Sequence, residues 1–275
     1  MRIVNFDLAI LDQGRGLHSM YRHYRHIETC AGVCYKSEDD KLTVADAEYR
    51  EALEHGTIYL TVPVWKFWVW KKYVRDPYTK VRFNRFSMYI TTNYRVVVTN
   101  NWKDDITRYL TVENIPTEFH EQRITVKFTI SRAVANEFVQ HRVFSITQKP
   151  IYCDCFNNEL VFVKPVWFDN DRVGYDSNGV PVSWLSSAVD RNQEYARACY
   201  ECEQHYKRLV QSGCSPQQAT GVLLLDLKTE LIMTGFESQW KDFFRFRCNS
   251  NAQAEVREVA SILREWLKVR RLNVI

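Results

Sequence analysis

The sequence predicts a mixed fold, strands together with long helices, built as a single domain over residues 1–275. Three observations predict it. Residues 122–130 alternate strictly, with Ile124, Val126, Phe128 and Ile130 facing one way and Thr125, Lys127 and Thr129 the other, the period of a strand with one buried face. Near the C-terminus Val256, Val259, Ala260, Leu263, Trp266 and Leu267 fall at i, i+3, i+4, i+7, i+10 and i+11, an unbroken apolar stripe on a helix. Between the two, Gly213 caps a long helix over 186–211, and Ser215-Pro216-Gln217-Gln218 is a capping box that starts the next one. No internal repeat, low-complexity tract or linker divides the chain.

The other elements follow in order. Residues 1–16 hold a short apolar stretch, Ile3, Val4 and Phe6, and then a polar turn; the basic, His-rich run 18–26 reads as an exposed helix start. A short helix is expected over 45–53, and an extended strand over 57–70, TIYLTVPVWKFWVW, which Pro63 places at a sheet edge or a bulge. Residues 76–84 read as a loop, 87–99 as a strand broken near Asn93, and 100–121 as a charged connection. Residues 160–168 are extended again, interrupted by Pro165, and 169–181 form a loop. In the helix over 186–211 the buried candidates are Val189, Ala196, Tyr200, Leu209 and Val210. The helix from Pro216 is expected to carry QQATGVLLLDLKTELIMTG, and 236–247 with the helix from Ala252 complete the chain.

A chain of 275 residues can bury a sizeable core, and 45% hydrophobic with 25% charged residues are ordinary globular values. No apolar run reaches the 18 residues of a membrane span, and no signal-peptide pattern follows Met1, so a soluble, cytoplasmic protein without a membrane partner is expected. A net charge of +4 is too small to argue for nucleic acid. Of the eight cysteines, Cys199 and Cys202 form a CxxC and Cys153 and Cys155 a CxC, but no second pair completes a zinc set. They are expected as free thiols, with Cys199 packed as a small hydrophobe.

The chemistry gathers in residues 131–156, SRAVANEFVQHRVFSITQKPIYCDCF. Val134, Ala135, Phe138 and Val139 make one apolar stripe, and the opposite face carries Arg132, Asn136, Glu137, Gln140 and His141. Glu137 and His141, four apart, are neighbours on that face. Arg142 and a polar run follow, Ser145, Thr147, Gln148 and Lys149, which Pro150 stops or bends. A helix ending in His-Arg before a hydroxyl-rich loop presents donors to an anionic ligand; a solvated helix end or a structural ion pair is the alternative reading.

This stretch resembles the signature of flavin-dependent thymidylate synthases, RHRxxS followed by a loop ending SxRY, for which the chain has QHRVFS and then ITQKPIYC. His141, Arg142 and Ser145 match; Gln140 and Tyr152 stand where the family has arginines, and Pro150 where it has serine. CYKSE at 34–38, the Glu54-His55 pair before a strand, SPQQA with LDLKTELIMTG, and FFRFR with AQAEVRE also match, so the resemblance runs from about residue 27 to the end. It implies an α+β fold, a mostly antiparallel sheet packed with long helices, and a homotetramer with active sites between subunits. The implied reaction is reductive methylation of dUMP to dTMP, with FAD supplying the hydride, methylenetetrahydrofolate the carbon and NADPH the electrons for the flavin. By the same resemblance His141, Arg142, Glu54 and His55 are cofactor-binding, Glu137, Ser145, Gln148 and Arg247 substrate-binding, and Arg247 also catalytic.

The departures fall on the nucleotide side. Tyr152 and Thr220 replace the two arginines that the family aims at dUMP, and Leu224 replaces a proline. A hydrogen bond to a charged group contributes about 1.5–3 kcal/mol, so their loss costs roughly 3–6 kcal/mol, about two to four decades of affinity. Synthesis of dTMP is therefore expected to be strongly reduced or absent, while the surviving His141 and Arg142 beside Glu54-His55 imply weak or partial FAD binding. Three readings stay open: a divergent synthase, a pseudoenzyme of the family serving binding or assembly, and a flavin enzyme acting on another pyrimidine.

Overall fold

A computed structural model describes residues 1–13, 19–34, 51–154, 159–177, 179–181 and 190–270. In chain order the strands are β1 (Arg2–Val4), β2 (Asp7–Leu11), β3 (Thr57–Pro63), β4 (Lys80–Phe83), β5 (Ser87–Asn93), β6 (Arg123–Ser131), β7 (Ser145–Gln148), β8 (Val161–Val163) and β9 (Lys228–Phe236). The helices are α1 (Ser19–Ala31), α2 (Phe67–Tyr73), α3 (Tyr94–Thr99), α4 (Lys103–Tyr109), α5 (Arg132–Phe138), α6 (Arg191–Gln211), α7 (Pro216–Ala219), α8 (Glu237–Arg247) and α9 (Ala254–Val269).

The alternation over 122–130 becomes β6, which pairs antiparallel with β9 along all nine residues. Added β2 and β7 give a four-stranded sheet in the order β2-β6-β9-β7, antiparallel throughout. Together with the three-stranded antiparallel sheet β3-β5-β4, this makes the fold α+β, as expected. A short parallel pair, β1 with β8, forms a third sheet, joined to the chain just before β9 by a bridge between Phe162 and Leu227. One face of the large sheet, Val126, Phe128, Leu231 and Met233, meets Trp240 and Phe243 of α8 and the apolar stripe of α9. Val256, Val259, Ala260, Leu263 and Leu267 of that stripe are each at most 2% exposed, whereas Trp266 is 44% exposed. Burying each of the larger side chains contributes roughly 1.5–3 kcal/mol. The helix therefore stands or falls with the core.

The polar face of β6 departs from expectation, since Thr125 is buried rather than solvated. Helix α1 and a 3-10 turn at Ala52–His55 cover this face, and Thr125 shares a hydrogen bond of 2.8 Å with Thr234 across the ladder. The His-rich run is thus no exposed start: His23 and His26 point inward from α1 while Arg22 and Arg25 face water. A Cβ on Gly56 would lie 2.5 Å from His23 Cε1, so the turn passes too close to α1 for any other residue.

Other segments differ as well. The polar run after Arg142 is a strand, β7, because its hydroxyls find partners on the covered face. The strand beginning at Thr57 stops at Pro63, an edge position, and 67–73 turn into α2, burying Val69 and Tyr73 against the small sheet. The stretch 87–99 breaks at Asn93, whose side chain caps α3 by accepting from Val96 N. Within 76–84 lies β4. The capping box forms with both bonds, Gln218 N to Ser215 Oγ at 3.2 Å and Ser215 N to Gln218 Oε1 at 2.9 Å, yet α7 ends after one turn and LKTELIMTG is a central strand, β9. Gly213 follows α6 at φ +100°, the left-handed conformation expected of a cap. Cys199 and Cys202 are buried free thiols on α6, with Ala196 beside them. The helix over 45–53 lies mostly outside the described residues, as do residues 35–38 of CYKSE and Val189.

Candidate functional site

Helix α5 is started by Ser131, whose Oγ accepts from Val134 N, and ends at Phe138, so Gln140, His141 and Arg142 lie in the turn leading to β7. Phe138 and Phe144 are buried in the core on either side of that turn and pin it against Phe243 of α8. The last residue of α8, Arg247, is thereby brought to the turn. Its Nε donates to His141 Nε2 at 2.8 Å, Nη1 to Glu137 Oε2 at 2.6 Å, and Nη2 to Glu137 O at 2.5 Å and Gln140 Oε1 at 3.3 Å. Four of the five guanidinium N–H groups are therefore engaged within the chain, and the Glu137 carboxylate balances the charge.

The geometry fixes the state of His141. A guanidinium only donates, so Nε2 must be the accepting nitrogen of a neutral ring that carries its proton on Nδ1. Burial and then the Arg247 charge lower its pKa, while Glu137 opposes them. Gln140, which stands where the family has an arginine, accepts from Arg247 through its side-chain oxygen. Together Gln140, His141 and Arg247 line an open cavity of about 410 Å³, with Phe246, Asn249 and Asn251 along its wall.

The remaining candidates form a second group on the opposite face of the large sheet. His55 is fully buried, with Nδ1 at 2.7 Å from Thr234 Oγ1 and Nε2 at 2.9 Å from Thr147 Oγ1. Burial, then the nearby His26 and Arg123, push its pKa down to about 3. Glu54 pairs with Arg95 at 2.5 Å, and its carbonyl accepts from Arg123 Nη1 at 3.0 Å. Ser145, 3% exposed, accepts from Arg123 Nη2 at 3.0 Å. Ser145 pairs with Thr234 in the ladder, and alternate residues face opposite sides, so β7 and β9 separate this group from Arg247. Gln148 lies at the far end of β7, where its carbonyl accepts from Cys34 Sγ at 3.1 Å. Arg142 is exposed, and its side chain makes no hydrogen bond or ion pair among the described residues.

Arg123 escapes the sequence reading. It enters β6 just before the clean alternation and holds Glu54, Thr57 and Ser145 together, with its guanidinium 5.6 Å from the Phe236 ring. Burial lowers its pKa to about 10. It also borders a cleft of about 520 Å³ shared with His26, Tyr59, Asn114 and Arg270. The only sequence signal was a cation on the polar side of a strand, which by itself reads as solvated.

Two of the positions that depart from the signature lie on elements packed against each other. Tyr152 lies in a 3-10 turn, Ile151–Asp154, that packs against α7, and Thr220 follows α7 directly. Thr220 Oγ1 is turned onto Gln217 O at 2.8 Å, and Tyr152 is 38% exposed. Neither residue supplies a cation. Among the described residues no group of three His, Cys, Asp or Glu side chains converges on a metal position.

The chain is 26% identical over 144 residues to a flavin-dependent thymidylate synthase of Synechocystis sp., covering 52% of this chain and 64% of that one. It is 29% identical over 154 residues to a flavin-dependent thymidylate synthase of Pyrococcus furiosus, covering 54% and 56%. The chain thus spans between half and two thirds of the length of these curated relatives. Among solved structures it is similar to a UMP/dUMP methylase PolB from Streptomyces cacaoi bound with 5-Br dUMP, at 12% identity and TM-score 0.46 over 98% of this chain and 93% of that one. It is also similar to thymidylate synthase X from Helicobacter pylori with FAD and dUMP, at 13% identity and TM-score 0.41 over 55% and 70%. The family model described as thymidylate synthase complementing protein matches residues 17–270, the span that holds both groups of candidate residues and the departures from the signature, and the chain belongs to that family.

Proposed function

We propose that this chain is a divergent flavin-dependent thymidylate synthase that keeps the scaffold and a base-facing arm but binds dUMP poorly, so that dTMP synthesis is strongly reduced or absent. The observation that carries this is the state of Arg247. With four of five N–H groups engaged by Glu137, His141 and Gln140, it has one left for a pyrimidine carbonyl. Where the family signature places an arginine, Gln140 supplies an oxygen that holds Arg247 back. At the phosphate end Tyr152 and Thr220 provide no positive charge, which leaves a phosphorylated ligand without its planar forks.

The residues present fit a flavin in part. Arg142 is an exposed guanidinium able to meet a diphosphate, and neutral His141 beside it can hold a ring nitrogen or carbonyl only through Nδ1–H, since Nε2 is occupied. When bound, FAD would supply the hydride for reductive methylation, with NADPH and methylenetetrahydrofolate as the further reactants. Glu54 lies on the far side of the sheet in the same chain, so a cofactor role for it requires a site shared between subunits, in keeping with a homotetramer. His55, by contrast, is fully buried with both ring nitrogens held by Thr147 and Thr234 and has none free for a flavin. The second reading, a flavin enzyme for an unphosphorylated pyrimidine, draws on the same contrast between a retained Arg247 and an uncharged phosphate end.

The test is calorimetric binding of dUMP to the unmodified protein and to Tyr152→Arg with Thr220→Arg. Each restored charge-assisted contact contributes about 1.5–3 kcal/mol, so the double variant should bind about 10²-fold more tightly or better. Tight binding by the unmodified protein would mean that another cation has taken over the phosphate. No gain from the double variant, together with binding of deoxyuridine, would favour the second reading.

A further inference from the structure

Residues 64–86 contain seven Lys or Arg and one Asp, a net charge of +6, so the other 252 residues together carry −2 of the chain's +4. The same 23 residues hold eight aromatic side chains. The fold gathers half of them at one end of the small sheet. Val64 donates its N–H to Phe86 O at 3.0 Å and Pro63 pairs with Ser87, so the loop entering α2 lies beside the β4–β5 hairpin. There Trp65, Phe67, Trp68 and Phe86 are 54–66% exposed. Cations are interleaved with them: Lys66 Nζ is 4.9 Å from the Trp68 ring centre and the Arg85 guanidinium 5.6 Å from that of Phe86. Lys71 on α2 and Arg75 just beyond it add further exposed positive charge. The small sheet does not need these rings, since its own core is Ile58, Leu60, Val62, Met88 and Ile90 with Val69 and Tyr73 of α2.

Charge decides what covers this end. Lys72 and Arg82 are paired with Asp105 and Glu121, but the other cations of the segment stay in excess over its one Asp, so a second copy meeting it face to face would set like charge against like. The occupant is therefore anionic. A single-stranded nucleic acid needs a basic groove and open ring faces on which bases stack. Here the cavities described above lie elsewhere, and Lys66 and Arg85 stand over the ring faces. Rings on adjoining loop tips, collared by long cationic side chains, match the boundary between headgroups and acyl chains, where Trp settles and Lys and Arg reach outward.

We propose that residues 64–68, the loop into α2 and the start of its first turn, dock this protein together with the 84–86 hairpin tip onto an anionic lipid surface, the aromatic rings entering the headgroup boundary and the neighbouring Lys and Arg lying against lipid phosphates. This is a contact from one side and needs no spanning helix. It adds to the functional reading above without depending on it.

Co-sedimentation with vesicles tests it, comparing phosphatidylcholine alone with an equal mixture of phosphatidylcholine and phosphatidylglycerol. The unmodified protein should sediment with the mixed vesicles at low salt, and leave them as salt rises to about 0.5 M, where screening shortens the reach of each charge to a few ångströms. Trp65→Ala with Trp68→Ala, and separately Lys66→Glu with Arg85→Glu, should each lower partitioning by about tenfold or more while leaving the melting temperature unchanged. No sedimentation with mixed vesicles would overturn the proposal. So would stronger binding of a single-stranded oligonucleotide than of vesicles, or a fall in solution mass in either variant, which would make this end a contact between copies.

Discussion

Individual histidines carry the most checkable electrostatics in this molecule. Burial pushes the pKa of His23 down to about 3, of His26 to about 4 and of His55 to about 3, from an ordinary 6.5. The folded pKa lies below the unfolded one, so the unfolded chain binds more protons between those values. Stability is therefore full above pH 6.5 and is lost as pH falls toward 3–4. By about pH 5.5 each buried histidine should have withdrawn on the order of 1 kcal/mol, measurable as a falling urea midpoint. A flat profile between pH 7 and 5.5 would show the three rings to be solvated. Replacing His55 with Ala should cost roughly 2–3 kcal/mol at neutral pH, because it leaves the Thr147 and Thr234 hydroxyls without their ring partner. None of this was legible in the sequence, where a basic, His-rich run has the composition of a wet helix face. What buries it is the turn at Gly56, seen only once the chain is folded.

At the scale of elements, the sequence was most readable where one period held and tertiary context agreed with it. Strand β6 and helix α9 formed as expected because each has one uniformly apolar face and a layer to bury it. The errors share a cause. LDLKTEL is rich in helix formers and follows a genuine capping box, yet β9 is a central strand because β6 on one side and β7 on the other satisfy its backbone. Residues 67–73 look like strand by composition, but Pro63 ends the pairing and α2 lets Val69 and Tyr73 reach the core. Met233, fully buried on β9, is the matching test: Met233→Ala should cost about 2–5 kcal/mol, as for a central core position. Ser215→Ala should cost only about 1 kcal/mol, since it removes one cap from a single-turn helix. A reversal of that order in chemical denaturation would contradict the topology.

For the whole molecule, the candidate residues named from the sequence fall into two groups. One is Glu137, His141 and Arg247, which α5 and α8 do bring together, and the other is Glu54, His55 and Ser145, which the sheet holds apart from them. Sequence spacing carries no information about which face of a sheet a residue will occupy after several crossings. That separation bears on assembly. The apolar stripe of α9 is already buried within the chain, so it is not available to a neighbouring copy. The proposed homotetramer must use other surfaces to bring the two groups into one site. Light scattering at micromolar concentration should give about four times the chain mass of 32.7 kDa. A mass near 32.7 kDa would leave Glu54, like the buried His55, with a structural role only.

The central claim is that the family scaffold persists while its grip on dUMP is lost, and a dUMP titration of FAD-loaded protein, followed through the visible flavin spectrum, tests it most directly. With Arg247 held by Glu137, His141 and Gln140, and with Tyr152 and Thr220 uncharged, the spectrum should show no saturable change below roughly millimolar dUMP. Saturation at micromolar dUMP, accompanied by dTMP formation once NADPH and methylenetetrahydrofolate are added, would contradict the account.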